Sequence, residues 1–576
     1  MKTVNIKYLY YMVITLLAVI YVLLLFGMIE LRYQELLSFN STDIYQTVEQ
    51  YNWKYWFEGE NQQLTMFADF LRSVDIRFLH SNGMIPIIIN LFFMVSTFFL
   101  IVKIIYALFD RDHLVLRTIL IFISVVFLFS SLQDGSIIWR FDKQLAAAYF
   151  LPLFSYYTLI RYSQTKREII FYSALIGGTF INFTTPYVFS ALSVFFLLGL
   201  SIGISQFKKM LLLLPLLFAL LLHYQEITAL ISTILGLFYD IKAIQSTFHY
   251  ILSYFGSPFI YISYEPCFAT SAIFSGLFMV ATYLYVMYLW IAKKISEPVY
   301  MIMLAYWTFY ILTAFSSLGM EYTYTAIFKN EFMMPSLIAW VLLVIFYVHF
   351  FRVNPIFQRR VLVVILTLTT ILYGYQIQTY KEYKSGNIEL KLGIGALKFS
   401  MYDRHFLKKL TPLVYVMRYR PEDKTDKTMS IFTIDDIKRK IIKKHHKYLQ
   451  TMVPFNVSDR IENRSVSTTL NMDSRFKGAL DKMVYIDQNN DLIKLTGWIY
   501  DLQKEQVPHV LLILNHDRVL IGFLLSDFPR IDIKNLYGFN ALRSGFVGYI
   551  KESKIPKEIF LLDVSEDFLI RVEYKH

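Results

Sequence analysis

The stretch 84–107, MIPIIINLFFMVSTFFLIVKIIYA, decides the fold: its 24 residues carry one charge, Lys103, and exceed the roughly 20 apolar residues that cross a bilayer. Runs of the same character recur at 8–28, 115–132, 145–160, 169–184, 187–206, 210–225, 268–291, 300–318, 334–351 and 361–376. They predict a mostly α chain whose residues 1–376 form a polytopic transmembrane helical bundle of about 11 spans. Composition agrees, with 56% hydrophobic and 17% charged residues in a chain of 576, against roughly 45–50% and about 25% in soluble domains. A single soluble enzyme is therefore disfavoured. The first run follows Lys2 and Lys7, is longer than the core of a signal peptide and has no small-x-small cleavage site before Glu30, so it reads as an uncleaved first span.

Charge placement sets an orientation. With the N-terminus cytoplasmic, the inner loops of this half collect fifteen bases, among them Arg117, Lys208 and Arg352, against four acids, whereas the outer side holds eight bases and fifteen acids. Cationic loops resist translocation, and an odd number of spans then puts the C-terminus outside. Long outer segments cover 29–83 and 226–267; within the second, Ile244 to Tyr264 is apolar enough for a re-entrant segment or a twelfth span, which would reverse the side of the tail. The net charge of +12 has no zinc finger, helix-turn-helix or basic zipper beside it, so nucleic acid is not an expected partner. The single cysteine, Cys267, excludes an internal disulfide and a cysteine-based metal site.

Residues 377–480 read as a mixed helical, α/β linker region on the outer side. Its basic run Lys438, Arg439, Lys440, Lys443, Lys444 and Lys447 suits either anionic headgroups or a solvated helix face. Residues 481–576 change period. Short alternating or β-rich runs at 483–487, 492–500, 509–515, 518–524, 545–550, 559–564 and 568–574, broken by turn residues, predict a small antiparallel β-sandwich.

Neither a Walker A loop, a GxGxxG fingerprint, an HExxH helix nor a GxSxG elbow occurs, which removes support for ATP-driven transport, dinucleotide chemistry and α/β-hydrolase chemistry. What remains is acid and base at the outer membrane face. Asp43, in Phe39-Asn40-Ser41-Thr42-Asp43-Ile44-Tyr45, would sit just above headgroup level, where a carboxylate can take a proton from a sugar hydroxyl; the same residues also read as a helix cap. On that face lie Arg140 and Lys143 after the third run and Lys329 and Glu331 before the tenth; such cations suit a phosphate leaving group, or simple snorkelling and ion pairing. Trp53, Trp56 and Trp139 fit sugar stacking or an interfacial aromatic belt. His80, His223 and His249 are scattered, and no spacing selects a metal site.

This layout resembles the GT-C superfamily of polytopic glycosyltransferases: a cytoplasmic start, a long acidic first outer loop, about eleven spans and an extracytoplasmic C-terminal domain. The resemblance implies that an Asp or Glu of the first outer loop is the catalytic base; Asp43 matches best by position, with Glu30 and Glu35 as substitutes. It implies Arg140, Lys143 and Lys329 as donor-phosphate ligands, although Glu331 stands where that loop, Phe328 to Ser336, would carry a base. It also implies a polyprenyl-phosphate-linked sugar as donor, an envelope glycan as acceptor, a bacterial inner (cytoplasmic) membrane location and, as in some such transferases, a divalent cation. The tail segments Gly497-Trp498-Ile499-Tyr500-Asp501, Asp527-Phe528-Pro529-Arg530-Ile531-Asp532 and Ser544-Gly545-Phe546 are similar to a β-sandwich appended to bacterial envelope-glycan proteins. Rival readings of the same layout are a lipid-linked glycan flippase, a glycan polymerase or ligase, and an assembly protein.

Overall fold

The computed structural model describes residues 6–35, 84–133, 146–184, 187–223, 241–262, 268–294, 297–318, 333–399, 476–487, 491–517, 519–552, 558–563 and 568–573, with Phe67, Phe70, Leu71, Val74, Thr228 and Met401 besides. They divide into two compact units: the first holds residues 6–30 and the described residues from Phe67 to Tyr380, the second residues 31–35 and the described residues from Lys381 on.

The first unit is helical: most of α1 (Ile6–Glu35), α2 (Met84–Leu108), α3 (Leu114–Leu128), α4 (Ala147–Thr165), α5 (Glu168–Ile181), α6 (Val188–Ser201), α7 (Gln206–Leu222), α8 (Ile241–Phe255), α9 (Phe268–Ile291), α10 (Pro298–Leu318), α11 (Met333–Phe350) and the start of α12 (Pro355–Lys398). Each apolar run read from the sequence has one of these helices as its main part. Among the described residues, six helices are long and apolar enough to cross a membrane: α1, α2, α9, α10, α11 and α12. The expected count of about eleven is not shown: α3, α5 and α6 are apolar but hold only 14 or 15 residues each, α7 holds 17, and α4, with 19, is rich in polar and tyrosine residues. Fourteen residues rise about 21 Å, short of the roughly 30 Å hydrocarbon layer.

Helix α8 shows how the bundle buries a helix end. Its 15 residues are also too few to cross, and the chain from Tyr250 to Phe259 is buried. The last carbonyls of a helix lack intrahelical donors and must find others where water is excluded. Here Tyr310 of α10 donates to Tyr254 O at 2.9 Å, while Trp340 and Ser336 of α11 donate to Phe255 O at 2.8 and 3.2 Å. Helix α9 comes close enough that a methyl group at Gly276 would overlap the Leu252 carbonyl, and one at Gly256 the Ala272 carbonyl. Small residues at such crossings are what allow backbones to approach in lipid.

A second tie joins α12 to two other helices. Gln376, fully buried, accepts from Ser131 N at 2.7 Å and donates to Tyr21 O and Phe129 O, each at 3.2 Å. Tyr21 in turn donates to Val126 O at 2.8 Å. The irregular backbone after α3 is thereby satisfied by one side-chain amide.

In the second unit seven strands, β1 (Phe476–Asp487), β2 (Leu492–Asp501), β3 (Val510–Leu514), β4 (Leu520–Phe528), β5 (Gly545–Lys551), β6 (Glu558–Asp563) and β7 (Phe568–Glu573), form one antiparallel sheet in the order β1-β2-β5-β4-β3-β6-β7. The short helix α13 (Ile531–Tyr537) follows β4. All seven predicted strands are present, but the expected sandwich is corrected: the strands make a single half-barrel sheet. Its two faces are both apolar. One packs Ile493, Leu495, Ile513, Leu524 and Ile550; the other, with Leu512, Phe523 and Tyr549, is covered by Leu392, Ala396 and Phe399 at the end of α12 and by Met401. Helix turns thus take the place of a second sheet.

Candidate functional site

The sequence placed its catalytic candidates at the outer loops. Glu30 is exposed near the end of α1, and Glu35 is that helix's last residue. Asp43, Trp53, Trp56, Trp139, Arg140, Lys143 and Lys329 lie outside the described residues. Among the described residues no group of three His, Cys, Asp or Glu side chains is placed to hold a metal ion. His223 is buried and its Nε2 lies 3.1 Å from Asn182 O, while His249 lies on α8.

The structure does assemble the three tail segments singled out above. Trp498 of β2 stands in register with Gly545 of β5, and Gly545 with Phe528 of β4; Gly497 pairs with Phe546, and Ile499 N donates to Ser544 O at 2.9 Å. Two irregularities then aim carboxylates. In β4 the register shifts between Ser526 and Phe528, leaving Asp527 as the extra residue at φ +96°, where its carboxylate takes Arg543 at 2.7 Å. In β1 the register shifts between Leu480 and Lys482, leaving Asp481 as the extra residue, and its carboxylate takes Arg530 at 2.5 Å. A β-bulge breaks the alternation of a strand and re-aims one side chain, and here each bulge presents an acid to an arginine.

Arg530 is the hub. Its Nε donates to Asp532 at 2.9 Å and its Nη2 at 2.7 Å, while Nη1 donates to Asp481. Its backbone N donates to Leu542 O, fixing the turn after β4. The hydrogen bonds from Arg530 hold the Asp532 carboxyl down at about 2, and both carboxylates raise the guanidinium further. The side-chain stem crosses Gly545, with Cγ only 3.0 Å from where a β-carbon would stand. Any side chain there would displace it.

Directly opposite residues share a face of the sheet, so Trp498 and the stem of Arg530 lie on the same side. Tyr500, two residues along β2, is on that face too, and Tyr537 of α13 meets both rings at centroid distances of 5.9 Å. Tyr500 is buried, and burial raises its hydroxyl pKa; Trp498 and Tyr537 are half-buried. Ser544 is fully buried and its hydroxyl has no partner among the described residues. Sequence reading singled out Trp498, Arg530, Asp532 and Gly545 but missed Asp481, Arg543 and Tyr537, which only the fold brings in. The breaks in alternation at Asp481 and Asp527 were the signal available.

Two other charged clusters pin helix ends. Lys208 at the start of α7 donates to Glu168 of α5 at 2.5 Å and to Tyr162 of α4 at 2.6 Å, and Glu168 above all raises its pKa. Arg352 donates to His349 Nε2 at 2.7 Å, which leaves the ring proton on Nδ1, facing the Tyr300 hydroxyl at 2.5 Å. No family model matches the chain, and no curated protein matches it.

Proposed function

We propose that this chain is a membrane glycosyltransferase that moves a sugar from a polyprenyl-phosphate donor to a cell-envelope glycan on the extracytoplasmic side. The observation that carries the reading is the character of the apolar helices. Within the stretches of the six long ones that are apolar enough to cross, Tyr10–Glu30, Ile85–Leu108, Thr270–Ile291, Pro298–Phe315, Met333–Val353 and Pro355–Lys381, charged side chains stand only toward the ends, at Glu30, Lys103, Arg352, Arg359, Arg360 and Lys381. Ion-coupled carriers place ionisable groups near the midplane, so this pattern favours chemistry at the membrane face over transport through the bundle.

In this reading the N-terminus is cytoplasmic, α3 to α7, lengthened by the apolar residues that flank the shorter of them, complete a topology of about eleven crossings, and the loops at 29–83 and 134–145 lie on the outer side. The lipid of the donor stays in hydrocarbon while its phosphate and sugar reach the interface. Asp43 takes the acceptor hydroxyl proton, that oxygen attacks the anomeric carbon, and the carbon–phosphate-oxygen bond breaks with inversion. Arg140, Lys143 or Lys329 offsets charge on the departing phosphate, and Trp53, Trp56 or Trp139 stacks on the sugar. A divalent cation is compatible with the acidic loop and is not required by this scheme. The test is mass analysis of surface glycan from a strain lacking the gene: loss of one side-chain sugar supports transfer, whereas intact intermediates trapped inside the membrane would replace it with transport.

A further inference from the structure

We propose that the face around Trp498 is a saccharide-binding site, in which an apolar ring face stacks on the indole and hydroxyls bond to the Arg530 network. The proposal concerns binding by the C-terminal sheet and stands whether or not the membrane half transfers sugar.

Its first support is the surroundings of Trp498. Further along the same face, the sheet packs bulky buried side chains, Phe523 and Tyr549, under the end of α12. Around Trp498 the packing is lighter: the indole joins Tyr500, Ile533, Ala541 and Tyr537 in a small cluster and is only half-buried. Its cross-strand partner in β1 is Ala479, which is small and exposed, and its partner in β5 is Gly545, which has no side chain. A tryptophan meant only for packing would have bulky neighbours at directly opposite positions, where side chains approach most closely. Here the Ala479 side of the half-buried indole has no bulky neighbour across the sheet, while Tyr537 meets the ring at 5.9 Å and the Arg530 stem lies where a Gly545 side chain would stand.

The second support is hydrogen-bonding capacity beside the ring. A guanidinium has five N–H donors, and Arg530 commits Nε, one hydrogen of Nη1 and one of Nη2, so two remain. A carboxylate offers about four lone-pair directions, and those of Asp532 and Asp481 are only partly used. Both carboxylates are exposed, with Asp532 at 60% and Asp481 at 43% of their side-chain area. Because the two bulges and the turn already fix these groups, a ligand meets donors and acceptors without paying to order them. Planar, pre-oriented acceptors and donors beside a half-buried aromatic ring match adjacent sugar hydroxyls and the C–H face of a pyranose. A peptide would pair with the outer edge of β1 through backbone groups, and not through the indole and the carboxylates.

The test uses the full chain in lipid nanodiscs on an array of printed neutral and acidic oligosaccharides, with affinities measured by calorimetry for the glycan that binds best. Wild type binds at least one glycan. Trp498→Ala loses about tenfold or more in affinity, the scale of one aromatic contact. Ala479→Arg changes an exposed residue of an edge strand, leaves the sheet intact and covers the Ala479 side of the indole, and it loses binding equally. Asp532→Asn keeps the Asp481 contact yet weakens binding. Hydrogen exchange across β2 and β5 verifies folding of each variant. Absence of binding to any printed glycan, or binding unaltered in Ala479→Arg, overturns the proposal.

Discussion

Replacing Gln376 by Leu tests how the helical unit is held together. The side chain is fully buried and makes three hydrogen bonds to backbone groups of α1 and of the turn after α3. Leucine is close in volume, so the cost is polar and not a cavity. Ser131 N loses its 2.7 Å acceptor, and an orphaned buried N–H costs about 1–3 kcal/mol. The two 3.2 Å bonds to Tyr21 O and Phe129 O add about 0.5 kcal/mol each, at the weak end of the range for a neutral bond. The total is about 2–4 kcal/mol, and roughly 2–4 °C per kcal/mol gives a fall in Tm of roughly 5–15 °C. Thermal unfolding of the detergent-solubilised protein, followed by circular dichroism, reads this directly. Hydrogen exchange at 129–133 should rise in the same variant. A Tm within about 1 °C of wild type, far below that range, would show that the amide network contributes nothing net and that apolar packing alone holds α12.

Gly276→Val places a branched side chain against the Leu252 carbonyl, forces α8 away from α9 and costs about 1–3 kcal/mol or more as overpacking; hydrogen exchange at 241–255 should rise, and unchanged protection would contradict the close crossing. Acid loosens the tail clamp with a definite sign. The carboxyl of Asp532 titrates near 2 folded, against about 3.9 in an unfolded chain, so its contribution is complete above about pH 4 and lost as pH falls toward 2. The carboxyl carbon signal of Asp532 in labelled protein checks this: Arg530→Met should move the midpoint up toward 3.9, and an unmoved midpoint would remove Arg530 as its cause.

Much of the fold was legible because the physics is local. The run 84–107 and α2 coincide almost residue for residue, and so do the runs 492–500 and 545–550 with β2 and β5. Where reading stopped short, charge was the reason. Helix α12 continues past residue 376 to Lys398, although the charges from Lys381 and the run Ser385-Gly386-Asn387 read as its end; Leu392 and Ala396, further along the same helix, find the sheet. Strand β1 starts at Phe476, before the predicted 483, because Lys477, Asp481 and Lys482 are exposed on an edge strand and mask its alternation. Pairing order was not legible at all. Alternation says which residues share a face, and nothing in it says that β5 inserts between β2 and β4 or that a helix, not a second sheet, covers one side. The tail site was legible as three motifs; their convergence depends on that order. The outer-loop site was legible only as residue types near the bilayer surface.

The most direct measurement of the central proposal is sugar transfer by the purified protein in vesicles, from a radiolabelled polyprenyl-phosphate sugar to an acceptor glycan from the native envelope. Wild type should move label into glycan and release polyprenyl phosphate, while Asp43→Asn, folded by circular dichroism, should not. Label crossing the bilayer with its phosphate bond intact, or transfer undiminished in Asp43→Asn, would contradict the account.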